Sequence, residues 1–201
     1  MRVMRILLAL CVAAAGALAA AAEPGPIGLK AGVFDPPRAA AEFPDGLRAS
    51  DGSELKLAHY RGKVVLLVFG FTHCPAVCPA TLATLAQARR LLGADAKGVQ
   101  VVYVTVDPER DDVAHIRQYL AGFDASFVGA TGQPQSLETV RKQYGVTARR
   151  VAPAGGGNDY GMSHSTSIYL IDRDGRLRAL MPFGHTAEDF AHDVRQLMAL
   201  R

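Results

Sequence analysis

Two cysteines four residues apart, Cys74 and Cys78, carry the most chemistry in this sequence; they lie in the stretch Phe69-Gly70-Phe71-Thr72-His73-Cys74-Pro75-Ala76-Val77-Cys78-Pro79. A thiolate is both a redox nucleophile and a soft metal ligand. If the segment is helical, four residues at ~1.5 Å rise put the two Cα atoms ~6 Å apart, within reach of a disulfide. Redox enzymes that resolve a mixed disulfide at close range generally use Cys-x-x-Cys, and here one more residue intervenes. The spacing therefore permits both a dithiol–disulfide couple and a two-sulfur metal clamp. A purely structural staple is the poorer explanation, because closing so short a loop restricts the unfolded chain little.

The compartment bears on that chemistry. Met1 to Arg5 carries two positive charges, Ile6 to Ala22 is uncharged and apolar, and an alanine run precedes Glu23 and Pro24. This is the pattern of a signal peptide cut near Ala22, or of an uncleaved N-terminal membrane anchor. Residues 1–22 are read as that leader, and the chain as exported, into a bacterial periplasm. Cys11 follows Leu10 where a lipoprotein site needs a small residue, so it belongs to the leader and leaves one cysteine pair. With Arg2 and Arg5 removed, 22 basic residues become 20 against 19 acidic ones. The mature chain is close to neutral, and no basic stripe with interleaved aromatics points to nucleic acid. Hydrophobic residues at 49% and charged residues at 20% suit a globular domain with a substantial core.

The elements that must position the cysteines follow from periodicity. Residues 23–43, rich in Pro, Gly and Ala, read as a tether, and 44–201 as one domain. Asp51-Gly52 between Leu47-Arg48-Ala49 and Leu55-Lys56-Leu57 predicts a short hairpin. Val64 to Phe69 is an unbroken apolar run, as expected of a central strand buried on both faces. A helix should follow with Pro79 at its first position and Leu82, Leu85, Ala86 and Leu92 on one face. Val99 to Val106 predicts a second central strand, ending at Asp107-Pro108, with Asp107 as the cap of the next helix. Phe127 to Gly129 reads as a short strand and Gln135 to Tyr144 as a third helix. Arg149 to Met162, with Pro153 and Gly155-Gly156-Gly157, is expected to be a mobile loop. Ser167 to Ile171 and Leu177 to Met181 form a closing hairpin, and Thr186 caps a last helix. Two early strands joined by a helical crossover are parallel, and the closing hairpin is antiparallel. The result is an α/β fold: a thioredoxin-like mixed sheet flanked by helices, with an N-terminal β-hairpin extension. The cysteines then sit at the C-terminal edge of a central strand, where open α/β sheets place their sites and a helix N-terminus favours thiolate.

In that architecture the turn before the closing hairpin faces the cysteine loop and usually carries a cis-proline. Here His164, in Gly161-Met162-Ser163-His164-Ser165-Thr166, occupies it. Two thiolates hold Cu(I) and an imidazole helps accommodate Cu(II), whereas closed structural zinc sites normally use four ligands. The alternative is that His164 only hydrogen-bonds the turn. His73 adjoins Cys74 but, in a turn, should point away from it. Asp107 is read first as a helix cap and second as support for a metal ligand. Met162 is read as loop packing, and His59, His115, His185 and His192 as solvated. Arg149-Arg150 reads as exposed, with a docking surface as the second reading.

From about Phe34 to the C-terminus the sequence resembles the SCO/SenC copper chaperones of respiratory oxidase assembly. The resemblance rests jointly on Tyr60-Arg61-Gly62-Lys63, Phe69 to Pro75, Cys78-Pro79, Val104-Thr105-Val106-Asp107-Pro108-Glu109-Arg110-Asp111, His164-Ser165, Tyr169-Leu170-Ile171-Asp172 and Pro182-Phe183-Gly184. It implies that Cys74, Cys78 and His164 hold one copper ion, and that the protein delivers copper to the dinuclear site of cytochrome c oxidase subunit II or another cuproprotein. It equally implies the alternative of a thiol–disulfide reductase that keeps the recipient's cysteines reduced. Another periplasmic copper chaperone or a thiol reductase would then be a further partner. Ala76 and Ser163 depart from the family, in which acidic residues often stand at both places; neither is a ligand position. A peroxidase sharing the fold would place its cysteine in a different motif.

Overall fold

The computed structural model describes residues 28–152 and 160–200. The predicted leader at 1–22, Cys11 and the Gly155–Gly157 run lie outside the described residues.

Val64–Gly70 forms β3 and Val99–Thr105 forms β4, every residue of both strands buried. They pair in parallel, and Val128–Gly132 (β5) adds a third parallel strand beside β4. Ile168–Ile171 (β8) runs antiparallel to β3 and is followed in a hairpin by Arg176–Met181 (β9). The expected mixed sheet is therefore present, and with β1 (Gly32–Ala39) and β2 (Leu47–Ala49) its order is β1-β9-β8-β3-β4-β5-β2.

Its two outer strands come from the N-terminal segment. Leu47–Ala49 (β2) pairs antiparallel with β5, and the Asp51-Gly52 turn folds it back so that Leu55 N–H donates to the Leu47 carbonyl. The return arm of this hairpin is a single bridge, Arg48 to Glu54, before Leu57–Tyr60 coils into a 3₁₀ turn. Gly32–Ala39 (β1), which the composition assigns to a tether, is instead a strand paired with β9, its register broken between Val33 and Arg38. Pro36 and Pro37 fall in that break. Proline cannot donate to a ladder but is tolerated on an edge strand, so the composition that argues against a central strand does not argue against this one.

Side-chain alternation along β3 divides the core. Val64, Leu66 and Val68 pack with Leu82 and Leu85 of α1 (Val77–Leu92), Ile116 and Leu120 of α2 (Val113–Ala121), and Phe190 and Val194 of α4 (Ala187–Met198). Val65, Leu67 and Phe69 pack on the other face with Leu137 and Val140 of α3 (Pro134–Gln143). Thr186 caps α4 as expected, in a reciprocal capping box with Asp189.

Helix α2 rests directly on β5 at Gly129. A Cβ there would lie 1.9 Å from Ile116 Cγ2 and 2.8 Å from Leu120 Cδ1. Gly129→Ala is therefore expected to destabilise the domain by about 2–3 kcal/mol through overpacking. An unchanged denaturation midpoint would show that α2 can lift off the sheet without cost.

Candidate metal centre

The cysteine loop begins where β3 ends. Gly70 has no side chain, and a Cβ there would meet the Tyr103 hydroxyl of β4 at 2.6 Å; the strand end thus settles directly over that ring. Helix α1 starts at Val77, two residues before the position predicted from Pro79. Pro79 still falls in the first turn, where a missing N–H leaves no helical bond unmade. Ala76 at the N-cap offers no capping side chain. The acceptor is supplied by Cys74 Sγ, which receives the Cys78 N–H at 3.3 Å. A sulfur in that position faces the positive end of the helix.

Cys78 is 3% exposed and Cys74 half-buried, and both are free thiols. Burial, the largest influence, pushes the Cys78 thiol up to about 12. It is neutral at ordinary pH, and a metal ion binding there must release its proton. The Tyr103 hydroxyl is buried without a hydrogen-bond partner among the described residues. Burial first, and then the nearby Cys78 sulfur, raise the phenol well above its usual range. This tyrosine reads from sequence as one more residue of an apolar strand, so its position beneath the thiols was not foreseen.

His164 reaches the cysteines from a separate ribbon. Ala148–Val151 (β6) and Gly161–His164 (β7) pair antiparallel, with His164 opposite Ala148. The span predicted as a mobile loop is thus, in its described part, two strand arms. His164 Nε2 lies 3.8 Å from Cys78 Sγ. Its Nδ1 is 2.7 Å from the Ser165 carbonyl oxygen, which accepts only an N–H. The proton is therefore on Nδ1, and the Nε2 lone pair faces the sulfur. Burial lowers the imidazole pKa, which keeps the ring neutral, and Phe71 packs edge-on against it at 5.8 Å. A sulfur and a nitrogen sharing one metal at ~2.3 and ~2.05 Å would be roughly 3.6–3.8 Å apart. The observed Cys78–His164 separation matches for that pair, although the donor atoms of Cys74, Cys78 and His164 do not all lie within 4.8 Å of one another; two soft sulfurs with one neutral imidazole suit copper in either oxidation state.

The remaining candidates fall elsewhere. The cap of α2 is Asp112, which accepts the His115 N–H at 2.7 Å, and not Asp107. Asp107 is 1% exposed and accepts from Arg110 Nε at 2.5 Å and the Tyr160 hydroxyl at 2.7 Å. The Tyr160 ring is flanked by the guanidinium groups of Arg110 and Arg150, 3.9 and 4.4 Å from its centroid. Arg150 also pairs with Glu109. Asp107 thus fastens the ribbon carrying His164 to the loop after β4, and Arg150 is part of that clasp. Met162, like Cys74, packs against the core cluster that contains Cys78. His73 does not meet the Cys78–His164 pair; it stacks on His115 at 5.7 Å. His115 is therefore engaged rather than merely solvated. His185 and His192 face Asp189 and Asp193.

The SCO1/SenC family model matches residues 38–199. The mitochondrial SCO2 homolog of Bos taurus is 39% identical over 144 residues, 71% of this chain and 54% of that protein. The chain spans about half the length of the curated relatives it matches. Among solved structures, Bradyrhizobium japonicum ScoI with copper bound is similar at 35% identity and a TM-score of 0.71, covering 79% of this chain and 98% of that one. Arabidopsis thaliana ScoI with copper bound is similar at 29% identity and a TM-score of 0.71, covering 79% and 97%.

Proposed function

The chain belongs to the SCO1/SenC family, and on that footing we propose that it is a copper metallochaperone whose cargo is held by Cys74, Cys78 and His164. The observation that carries this reading is the 3.8 Å approach of His164 Nε2 to Cys78 Sγ with the Nδ1 proton tied to Ser165. In the metal-free protein this contact is a hydrogen bond from the Cys78 thiol to His164 Nε2, and a bound copper ion would take the place of that proton. The donor set supports copper: buried sulfur holds Cu(I), and the neutral imidazole adds the ligand Cu(II) prefers. Relatives solved with copper bound support the same choice.

The residues divide the work of capture and release. Cys78 is fixed inside the first turn of α1, whereas Cys74 is half-exposed and capable of meeting a partner's thiol or incoming ion first. His164 arrives on a two-stranded ribbon outside the main sheet, held by the Asp107–Tyr160 bond. The recipient in this reading is the dinuclear copper site of cytochrome c oxidase subunit II or another cuproprotein, reached in the periplasm after export by residues 1–22. No helix among the described residues is long and apolar enough to cross a membrane.

The same pair supports a second reading, reduction of the recipient's cysteines. Cys74 thiolate would attack a recipient disulfide, forming a mixed disulfide and releasing one recipient thiolate. Cys78 would then attack Cys74 Sγ, releasing the second thiol and leaving a Cys74–Cys78 disulfide, a two-electron transfer. His164 separates the two. Adding Cu(II) to the reduced protein should produce a strong sulfur-to-copper charge-transfer band, and His164→Ala should lose or markedly shift it. Retention of the full spectrum and copper content in that variant would defeat the three-ligand site, whereas reduction of a disulfide substrate by a protein that retains no copper would favour the reductase.

A further inference from the structure

One cluster of ligating side chains remains unused by the thiol site. His73, Asp111 and His115 each offer a donor atom, and the three lie within 4.8 Å of one another. They converge on a single hydroxyl. Thr72 Oγ1 donates to Asp111 Oδ1 at 2.5 Å, and stands 3.1 Å from His73 Nδ1 and 2.9 Å from His115 Nε2. A hydroxyl has one proton, already given to the carboxylate, so both imidazoles must donate their N–H to its lone pairs. Two imidazole nitrogens and a carboxylate oxygen are thus aimed at one point, with threonine at its centre.

The carboxylate supplies an independent observation. Asp111 is 0% exposed, yet it is held only by neutral donors: the Thr72 N–H, the Thr72 hydroxyl and the Thr105 hydroxyl. Among the described residues no Lys, Arg or His forms an ion pair with it. Buried charges are normally paired or bound to a metal, and the two histidines beside this one are both exposed.

We propose that His73, Asp111 and His115 form a second cation site, which takes Cu(II). Two imidazoles and a carboxylate are nitrogen and oxygen donors of the borderline class, and among first-row divalent ions such a set binds Cu(II) most tightly. Donors sharing a metal at ~2.0–2.2 Å lie roughly 3–4 Å apart. The exposed His73 and His115 side chains need only close by a small rotation on the fixed Asp111. Each imidazole moves its proton to the outer nitrogen, which faces water, and the metal replaces the hydrogen bonds to Thr72. Thr72, His73 and Cys74 are consecutive, so Cu(II) held here stands beside the entrance to the thiol pair, in a site that spares it immediate contact with sulfur.

The test removes the thiol site first, so that the two proposals fail separately. In the full chain carrying Cys74→Ser, Cys78→Ser and His164→Ala, Cu(II) is titrated against a competing chelator and followed by electron paramagnetic resonance. The expected result is one tightly held Cu(II) with nitrogen hyperfine structure, weakened at least about tenfold by adding His115→Ala. His115 is exposed, so its removal leaves the core packing untouched, and circular dichroism of both variants checks the fold. With Zn(II) as a diamagnetic probe, the ring resonances of His73 and His115 should shift together, ahead of those of His59, His185 and His192. Equal Cu(II) affinity with and without His115, or Zn(II) shifts spread evenly over all the histidines, would overturn the proposal and mark the binding as adventitious.

Discussion

Replacing Cys78 with serine should reduce copper retention to background while leaving the fold intact. Cys78 is the donor in contact with His164, and it lies inside the first turn of α1 with 3% of its surface exposed. Serine fills nearly the same volume, and its backbone N–H can still donate to Cys74 Sγ. What it lacks is a soft, ionisable sulfur: a hydroxyl in this pocket stays protonated and offers Cu(I) almost nothing. Losing one of three donors should weaken binding on the order of a hundredfold or more, since even outer hydrogen-bond partners of ligands are worth 10- to 100-fold. Copper content after gel filtration and the charge-transfer band together report the outcome. Cys74→Ser is the informative companion. It too should lose the ion, but serine oxygen can accept the Cys78 N–H and preserve the helix start. A Cys78→Ser protein that keeps its copper and its band would mean that the buried thiol is core packing and not a ligand.

The largest loss of stability from a single polar side chain is expected at Asp111. Its carboxylate joins the loop before the cysteines to the end of β4, accepting from Thr72 N–H, the Thr72 hydroxyl and the Thr105 hydroxyl. Asp111→Ala leaves the buried Thr105 hydroxyl and the half-buried Thr72 N–H without their acceptor. At about 1–3 kcal/mol for each unsatisfied buried group, the expected cost is about 3 kcal/mol. For a domain of this size that corresponds to about 6–12 °C in Tm. Asp111→Asn keeps one acceptor oxygen but turns an N–H₂ towards a donor, so it should fall between the two. Thermal melts of the metal-free proteins give the comparison, and hydrogen exchange at the Thr72 amide should accelerate in parallel. A Tm within about two degrees of the parent would mean that the loop has other anchors sufficient to hold it. If the loop does loosen, the Cys74–Cys78 geometry loosens with it, which makes Asp111 a positioning residue for the thiol site.

Asp111 also shows where reading the sequence stops. Its position after Asp107-Pro108 makes it look like one of several acids in the first turn of a helix, a solvated and replaceable role. Helix α2 begins only at Val113, capped by Asp112. The chain between β4 and α2 is therefore a loop that turns Asp107 and Asp111 inward, each to a different set of partners. Periodicity sees both residues as polar and has no means of counting the donors that surround them. The tether shows the same limit in reverse: the prolines of Gly32–Ala39 exclude an interior strand, but only the neighbouring β9 edge shows that an outer one is available.

What the amino-acid order determined by itself was the local physics. A short uninterrupted apolar run flanked by turn residues reads as a strand covered on both faces, as Val64–Gly70 is, and Thr186 reads as the cap of the last helix, as it is. Cys74 and Cys78, four residues apart at a strand end, were bound to lie around the start of a helix and in its field. The tertiary structure decided which of the six histidines meets them. His73 is adjacent in sequence and turns away to stack on His115, whereas His164, 86 residues beyond Cys78, arrives within 3.8 Å of its sulfur. Separation along the chain says nothing about separation in space once β8 has been laid antiparallel against β3. The sheet pairing brings the turn before β8 to the C-terminal edge of β3, and the Ser165 carbonyl then sets which imidazole nitrogen faces the thiol.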